Sequence, residues 1–155
     1  MTAYVVDSSS LIRAWVEAYP IDLFPTLWDQ IKGMVADRRL FIPEEVVKEV
    51  RIKDDGLRDW IAVNGQNGVV PSDSAIFQEV QAIVNKYSGM VTPGVNRGQA
   101  DPFVVATARL WKAVVVSEEK DDGSMFQRNK LLLSLSSRMP PTLRSRIDTS
   151  CPNSF

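Results

Sequence analysis

Short β-prone runs and stretches of helical period alternate along this chain, and that alternation restricts the fold more than any other feature of the sequence. Tyr4-Val5-Val6, Leu40-Phe41-Ile42 and Ala113-Val114-Val115-Val116 are the strand candidates, with Val69-Val70 either a strand fragment or a connection. Between them, apolar residues recur at intervals of three and four. Leu11, Ile12, Trp15 and Val16 form one such set; Phe24, Leu27, Trp28, Ile31, Met34 and Val35 form the next; Val46, Val47 and Val50 form a third. A short helix is predicted around Leu57 to Val63, before the turn-rich Asn64-Gly65-Gln66-Asn67-Gly68, and another over Ile76, Val80, Ile83, Val84 and Tyr87. From Phe103 to Trp111 apolar side chains surround most of the circumference, the pattern of a helix enclosed by the domain. The expected class is α/β, a three-layer α/β/α domain with a mainly parallel central sheet that buries the 113–116 strand on both faces. A chain of 155 residues holds one such domain and has no room for a second.

The side-chain inventory limits the chemistry. There are no histidines and one cysteine, Cys151. Cys/His zinc sites, Ser-His-Asp and Cys-His nucleophile systems, haem ligation and imidazole acid/base catalysis are therefore excluded, as are disulfides within the chain. Carboxylates remain plentiful, and clustered oxygen donors without imidazole or thiolate suit Mg²⁺ or Mn²⁺. The formal charge of −1 offers no bulk attraction for a polyanion, so nucleic acid would have to be held locally. Apolar runs fall far short of roughly 18 residues and no basic segment precedes a hydrophobic one, so neither membrane nor secretion is expected. The expected setting is a reducing cytoplasm.

Acids stand at or near three of the places where a parallel sheet holds its ligands, beyond the carboxyl ends of strands and near the reversal of strand order, and another comes from a helix. Asp7 follows the first strand, Glu118-Glu119 follow the 113–116 strand, and Asp101 opens the helix leading into that strand. Glu49 lies on the helix after the second strand; at about 100° per residue it borders the Val46/Val47/Val50 stripe while Glu44, Glu45 and Lys48 point away. Each has an ordinary explanation: Asp7 and Asp101 as helix caps, the others as solvated charges. Capping accounts for two of them, but not for acids that also close the last strand and border the core. A tight cluster of bare carboxylates repels itself unless a cation neutralises it, and a divalent metal there would also hold a phosphodiester.

In these residues the chain resembles the PIN-domain nucleases, including the VapC-like toxins of toxin–antitoxin pairs. The resemblance is carried by Val5-Val6-Asp7-Ser8-Ser9-Ser10-Leu11-Ile12, by Phe41-Ile42-Pro43 with Glu49 six positions on, by Ala100-Asp101-Pro102-Phe103-Val104-Val105-Ala106-Thr107-Ala108, and by Val115-Val116-Ser117-Glu118-Glu119-Lys120. It covers about the first 120 residues, and the ordered set rather than any one motif makes it specific. Tyr19-Pro20, Phe24-Pro25-Thr26-Leu27-Trp28 and the Glu-Glu-Lys ending look like a less characterised PIN subgroup. The resemblance implies a metal-dependent endoribonuclease with Asp7, Glu49, Asp101 and Glu119 as its acidic site and Glu118 as the alternative fourth acid. Ser9 would support Asp7 by hydrogen bonding, and Ser117 stands where a small hydroxyl residue is usual. One or two Mg²⁺ or Mn²⁺ ions would activate water, releasing a 3′-hydroxyl and a 5′-phosphate. Arg13, Lys48, Arg51, Arg97 and Lys120 are candidates for steering phosphate, an antitoxin is the implied protein partner, and a homodimer is a further expectation.

Two domains of composition follow: a PIN-like unit over residues 1–125, and an atypical basic tail over 126–155. The first has 13 basic and 18 acidic residues; the tail adds Arg128, Lys130, Arg138, Arg144 and Arg146 against Asp148. A tail of this kind binds phosphate or stays disordered. It departs from the family, whose members continue into an Ile-Pro-Asp-like segment. Ser137-Arg138-Met139-Pro140-Pro141 is what a one-base shift would make of codons for Ile-Pro-Asp-Ala-Ala, so a frame shift after about Lys120 stands beside a divergent tail as its origin. Other enzyme classes fit poorly. Ser9 stands where a haloacid-dehalogenase-type site needs its second Asp, and neither a P-loop nor a Gly-rich dinucleotide turn is present. The competing reading is a catalytically silent PIN-like protein-interaction module.

Overall fold

The computed structural model describes residues 2–87 and 99–117. Strand β1 (Tyr4–Val6) leads into helix α1 (Ser8–Arg13), which runs on as a π-helical turn over Ala14–Ala18. Helix α2 (Pro25–Ala36) starts with proline in its first turn, where the missing N–H leaves nothing unsatisfied. Strand β2 (Leu40–Pro43), helix α3 (Glu44–Lys53) and helix α4 (Asp55–Trp60) follow. The expected turn at 64–68 is instead wound, as a π-helical turn (Ile61–Gly65) and a 3₁₀ turn (Gln66–Gly68), with Asn64 Nδ2 donating to the Trp60 carbonyl at 3.2 Å. Val69–Val70 is a true strand, β3, and helices α5 (Ser74–Lys86) and α6 (Asp101–Trp111) precede β4 (Val114–Val116).

The four strands form an all-parallel sheet in the order β3-β2-β1-β4. Tyr4 pairs with Leu40 and Val114, Val5 with Phe41 and Val115, and Ile42 with Val69. Alternation along β2 sends its side chains to opposite faces: Phe41 meets Trp111 of α6 at 6.2 Å between ring centroids, whereas Ile42 faces the 61–65 turn across Gly65. The α/β class and the parallel sheet flanked by helices are thus as the sequence predicts. One detail differs. β4 is half-exposed, with Val116 38% accessible, because among the described residues it ends the sheet with β1 as its neighbour; Val5 and Ile42, in the two middle strands, are fully buried.

The chain builds first to one side of β1 (β2, then β3) and then crosses to the other (β4). Strand order therefore reverses between β1 and β4, and the carboxyl ends of these two strands frame the crevice where such sheets hold ligands. Behind it lies a core including Val5, Leu11, Trp28, Val35, Val46, Val50, Leu57 and Ile61. Trp28 packs edge-on against Trp15 at 4.9 Å and Trp60 at 5.0 Å, and its Nε1 donates to the Tyr19 carbonyl at 2.7 Å. Gly68 lets β3 reach its place, since a Cβ there would lie 2.5 Å from the Leu40 carbonyl oxygen.

Candidate active site at the carboxyl end of the sheet

β1 ends in Asp7, and the next backbone contact fixes where that residue sits: its N–H donates to the Val116 carbonyl at 3.0 Å, bridging β1 to β4 at the crevice. The side chain is buried, with 6% of the residue accessible. Asp7 occupies the N-cap position of α1 but makes no capping bond. Its carboxylate instead accepts from serine hydroxyls, Ser9 at 2.5 Å and Ser117 at 3.4 Å on Oδ2, while Ser8 Oγ lies 3.4 Å from Oδ1. A serine run entering a helix turns about 100° per residue, so each hydroxyl finds a different acceptor. Ser8 Oγ lies 2.6 Å from Glu49 Oε2, its much shorter contact, and Ser10 Oγ donates to the Val116 carbonyl at 3.3 Å.

Glu49 is the inward acid of α3, as its angle to the valine stripe predicts. Its side chain is 15% accessible against 24% for Glu45 and 40% for Glu44. Besides the Ser8 bond, it accepts from the Ala100 N–H at 3.3 Å and lies 4.0 Å from Lys53 Nζ. The Ala100 bond ties Glu49 to the start of α6, where Asp101 is the first helical residue. Asp101 is not the N-cap: Ala100 holds that position, and Pro102 follows within the first turn. By contrast, Asp54 and Asp73 do cap helices, accepting from Leu57 N at 2.7 Å and Ile76 N at 2.9 Å. Of the three aspartates at N-cap positions, Asp7, Asp54 and Asp73, the site candidate Asp7 is the one without a capping bond.

One hydroxyl joins Asp7 to Glu49, and one backbone bond joins Glu49 to the residue before Asp101, so the three acids share one end of the sheet. Among the described residues no three carboxylates close into a complete metal-binding group. Glu118 and Glu119, the two candidates for the fourth acid, lie outside the described residues, as do Arg97, Lys120 and the 126–155 tail. The donor set that is present consists of carboxylate and hydroxyl oxygen, which fits Mg²⁺ or Mn²⁺ and not a thiophilic metal.

A family model described as a domain of unknown function, DUF4411, matches residues 4–132. The chain belongs to the DUF4411 family. No curated protein and no solved structure matches it.

Within this DUF4411 domain, the cations named from sequence fall in different places. Arg13 lies on α1 beside the acid site, with Nε 3.6 Å from Glu17. Lys48 lies with the outward acids of α3, donating to Glu45 at 2.7 Å and lying 3.4 Å from Glu44. The Glu45 hydrogen bond raises the Lys48 pKa against the opposing effect of desolvation, and the Glu45 and Glu44 charges add to the rise. Arg51 belongs to the same side, its charge acting on Glu44. Glu44 itself is held below the ordinary glutamate value chiefly by the Ser72 N–H, at 3.0 Å; desolvation opposes this, and Lys48 and Arg51 add to it. Ser9, expected to support Asp7, lies 2.5 Å from its Oδ2, and Ser117, expected only as a small hydroxyl residue, lies 3.4 Å from the same oxygen. Two residues were not singled out from sequence. Ser8 touches both acids, and its signal was only its place between Asp7 and Ser9; Lys53 reaches Glu49, and its signal was the four-residue spacing on one helix face. Among the described residues no helix is long and apolar enough to cross a membrane.

Proposed function

We propose that this DUF4411 protein is a metal-dependent endoribonuclease of the PIN type, acting as the toxin of a toxin–antitoxin pair. One observation carries the nuclease reading: a buried aspartate at the strand-order reversal, held among the described residues by serine hydroxyls rather than by a cation, with Ser8 lying between it and a second inward acid. A carboxylate kept for stability would gain more from an arginine or from a capped helix. Asp7, Glu49 and Asp101 would hold Mg²⁺ or Mn²⁺, with Glu119 or Glu118 completing the set. Bound there, the ion would acidify an attacking water and offset charge on the phosphate oxygens. The chain's own residues supply position. Ser9 and Ser117 fix Asp7 Oδ2, while Ser8 and the Ala100 N–H fix the two oxygens of Glu49. The toxin role and the antitoxin partner rest on the resemblance to VapC-like proteins.

The rival reading, a silent interaction module, draws on the exposed Val16, Tyr19, Leu23 and Phe24, which are 54, 43, 73 and 43% accessible. Mn²⁺ titration of the purified chain separates the two. A site with this donor set gives a thermal shift, worth about 2.7 kcal/mol at a hundredfold excess over Kd, and Asp101→Asn reduces it. Incubation with an RNA pool and Mn²⁺ gives cut ends bearing 5′-phosphate, and Asp7→Ala or Asp101→Asn abolishes them while the fold is kept. Wild-type cleavage by either variant overturns the assignment.

A further inference from the structure

The amino end of the sheet, away from the acids, is built from two matching helix stops. α2 leads into β2 and α6 into β4, and these two strands flank β1. At the close of α2 the Arg39 N–H donates to the Met34 carbonyl at 2.8 Å and the Arg38 N–H to that of Val35 at 3.0 Å. At the close of α6 the Ala113 N–H donates to the Ala108 carbonyl at 2.9 Å and the Lys112 N–H to that of Arg109 at 3.4 Å. Each pair forms the nested bonds of a Schellman stop, which turns on one residue in the left-handed region, usually glycine. Here a cation takes that place twice: Arg38 has a φ of 53° and Lys112 a φ of 51°, and among the described residues no other non-glycine has a positive φ. Tyr4 pairs with Leu40 on one side and Val114 on the other, so the stops stand on either side of β1, two strand spacings or about 10 Å apart. Arg39 enters β2 beside the first stop, and its Nε is buried without a hydrogen-bond partner among the described residues.

Helix dipoles favour cations near carboxyl termini, but that attraction acts on any residue of the last turn and does not call for a left-handed arginine or lysine. Nor do these cations serve the fold by pairing. Among the described residues none of the three has an ion-pair partner, Asp37 of the same loop included, whereas Arg13, Lys48, Lys53, Arg58 and Arg109 each meet a carboxylate. Beside them the last turn of α6 adds an apolar edge: Leu110 and Trp111 are 43 and 38% accessible, and the Trp111 ring lies 6.2 Å from Phe41, two residues along from Arg39. We propose that this end of the sheet docks an acidic segment of a partner protein, its carboxylates on Arg38, Arg39 and Lys112 and an apolar side chain on Leu110 and Trp111. A guanidinium receives a carboxylate through two parallel bonds, and Arg39 Nε gains the acceptor it lacks when its fork turns outward to one. Acids three residues apart on an extended segment span about 10 Å, the separation of the two stops. Trp111 offers one stacking surface, where a single-strand nucleic-acid track uses a succession of them. The proposal is independent of the nuclease reading, because the acids stand at the opposite end of the three-residue β1.

The test is fluorescence anisotropy of a labelled peptide of repeated Glu-Glu-Leu, titrated with the full chain in EDTA. The wild type binds it, less tightly as salt rises, and binds a Glu-Glu-Gly repeat several-fold more weakly and a Lys-Lys-Leu repeat not at all. Arg38→Gly and Lys112→Gly each weaken binding several-fold while the thermal midpoint is kept or rises, because glycine takes the left-handed turn without strain. Arg38→Gln and Lys112→Gln, which keep a side chain at the turn, weaken binding to the same extent, and Arg58→Gln, the same loss of charge on α4, binds as wild type. No binding of the acidic peptide by the wild type, or wild-type affinity in the Arg38 and Lys112 variants, overturns the proposal. Tighter binding of a single-stranded RNA of equal charge, lost in the same variants, overturns the acidic segment in favour of nucleic acid.

Discussion

The two ends of the first helix are built on opposite principles. At its start, the buried Ser8 and Ser10 and the exposed Ser9 place hydroxyls against two carboxylates and a carbonyl. In its π-helical continuation, Trp15 enters an aromatic cluster, edge-on to Trp28 and tilted against Trp60, with Trp28 edge-on to Trp60. Burial of large rings contributes to stability directly. Burial of Asp7 does so only to the extent that its hydrogen bonds replace water, and neutral hydroxyls replace it incompletely. The polar end is therefore carried by the apolar one. The tryptophans hold the helix whose first residues hold the acids.

Trp28→Ala is the harshest way to break this division. Trp28 is 1% accessible and touches both other tryptophans, so its loss should cost about 3–5 kcal/mol. Urea unfolding measures it. If the acid end is carried by this cluster, the fraction still folded binds Mn²⁺ with near wild-type affinity, and the midpoint alone moves. A large loss of affinity in folded molecules would mean that the two ends are coupled more tightly than their separate contacts suggest.

The same contrast explains what could be read from sequence. Helix periods and the strand at Leu40–Pro43 were legible because burial repeats along the chain. Asp7 and Glu49 were legible because an acid at a strand end, or at the border of a valine stripe, violates that repeat. The exposure of β4 was not: Val114-Val115-Val116 is as apolar as any central strand, and its place at the end of the described sheet depends on where β1 and β2 lie. Nor could sequence divide the labour among Ser8, Ser9 and Ser10, since a rotation of one residue at the helix start would exchange their acceptors. Asp101 read as a cap because Asp-Pro is the common form of one, yet here the helix begins one residue earlier than that reading needs. Lys53 was not singled out, and its four-residue spacing from Glu49 is the trace that their contact leaves in the sequence.

Ser8→Ala is a milder change at the polar end. Ser8 is 4% accessible, so the methyl group fits the space while Glu49 Oε2 loses its 2.6 Å donor. A hydrogen bond to a charged acceptor is worth roughly 1.5–3 kcal/mol, and loss of such an orienting contact typically weakens metal affinity by about tenfold or more. Mn²⁺ affinity should fall on that scale while urea stability changes less than in Trp28→Ala. Unchanged Mn²⁺ affinity would show that the Ala100 N–H alone orients Glu49, and Ser8 would then be a structural hydroxyl with no part in the site.

The smallest effect concerns Glu44, a carboxylate of α3 that faces away from the site. The Ser72 N–H, with help from Lys48 and Arg51, keeps its pKa below the ordinary glutamate value. The unfolded chain therefore takes up this proton at higher pH than the folded one. Glu44 contributes stability that is fully present above the ordinary glutamate value and is lost as pH falls through the lower folded value. Its side chain is 40% accessible, so solvent screening keeps the contribution small. Glu44→Gln should lower Tm slightly at neutral pH, and the gap to wild type should close on acidification. Added salt should shrink the part due to Lys48 and Arg51 but leave the Ser72 hydrogen bond, because screening acts on separated charges more than on a direct contact. A gap that persists unchanged at low pH would mean that Glu44 acts through packing. Glu45, bonded to Lys48 at 2.7 Å, would then be the acid of that outer face whose charge is still held by a partner.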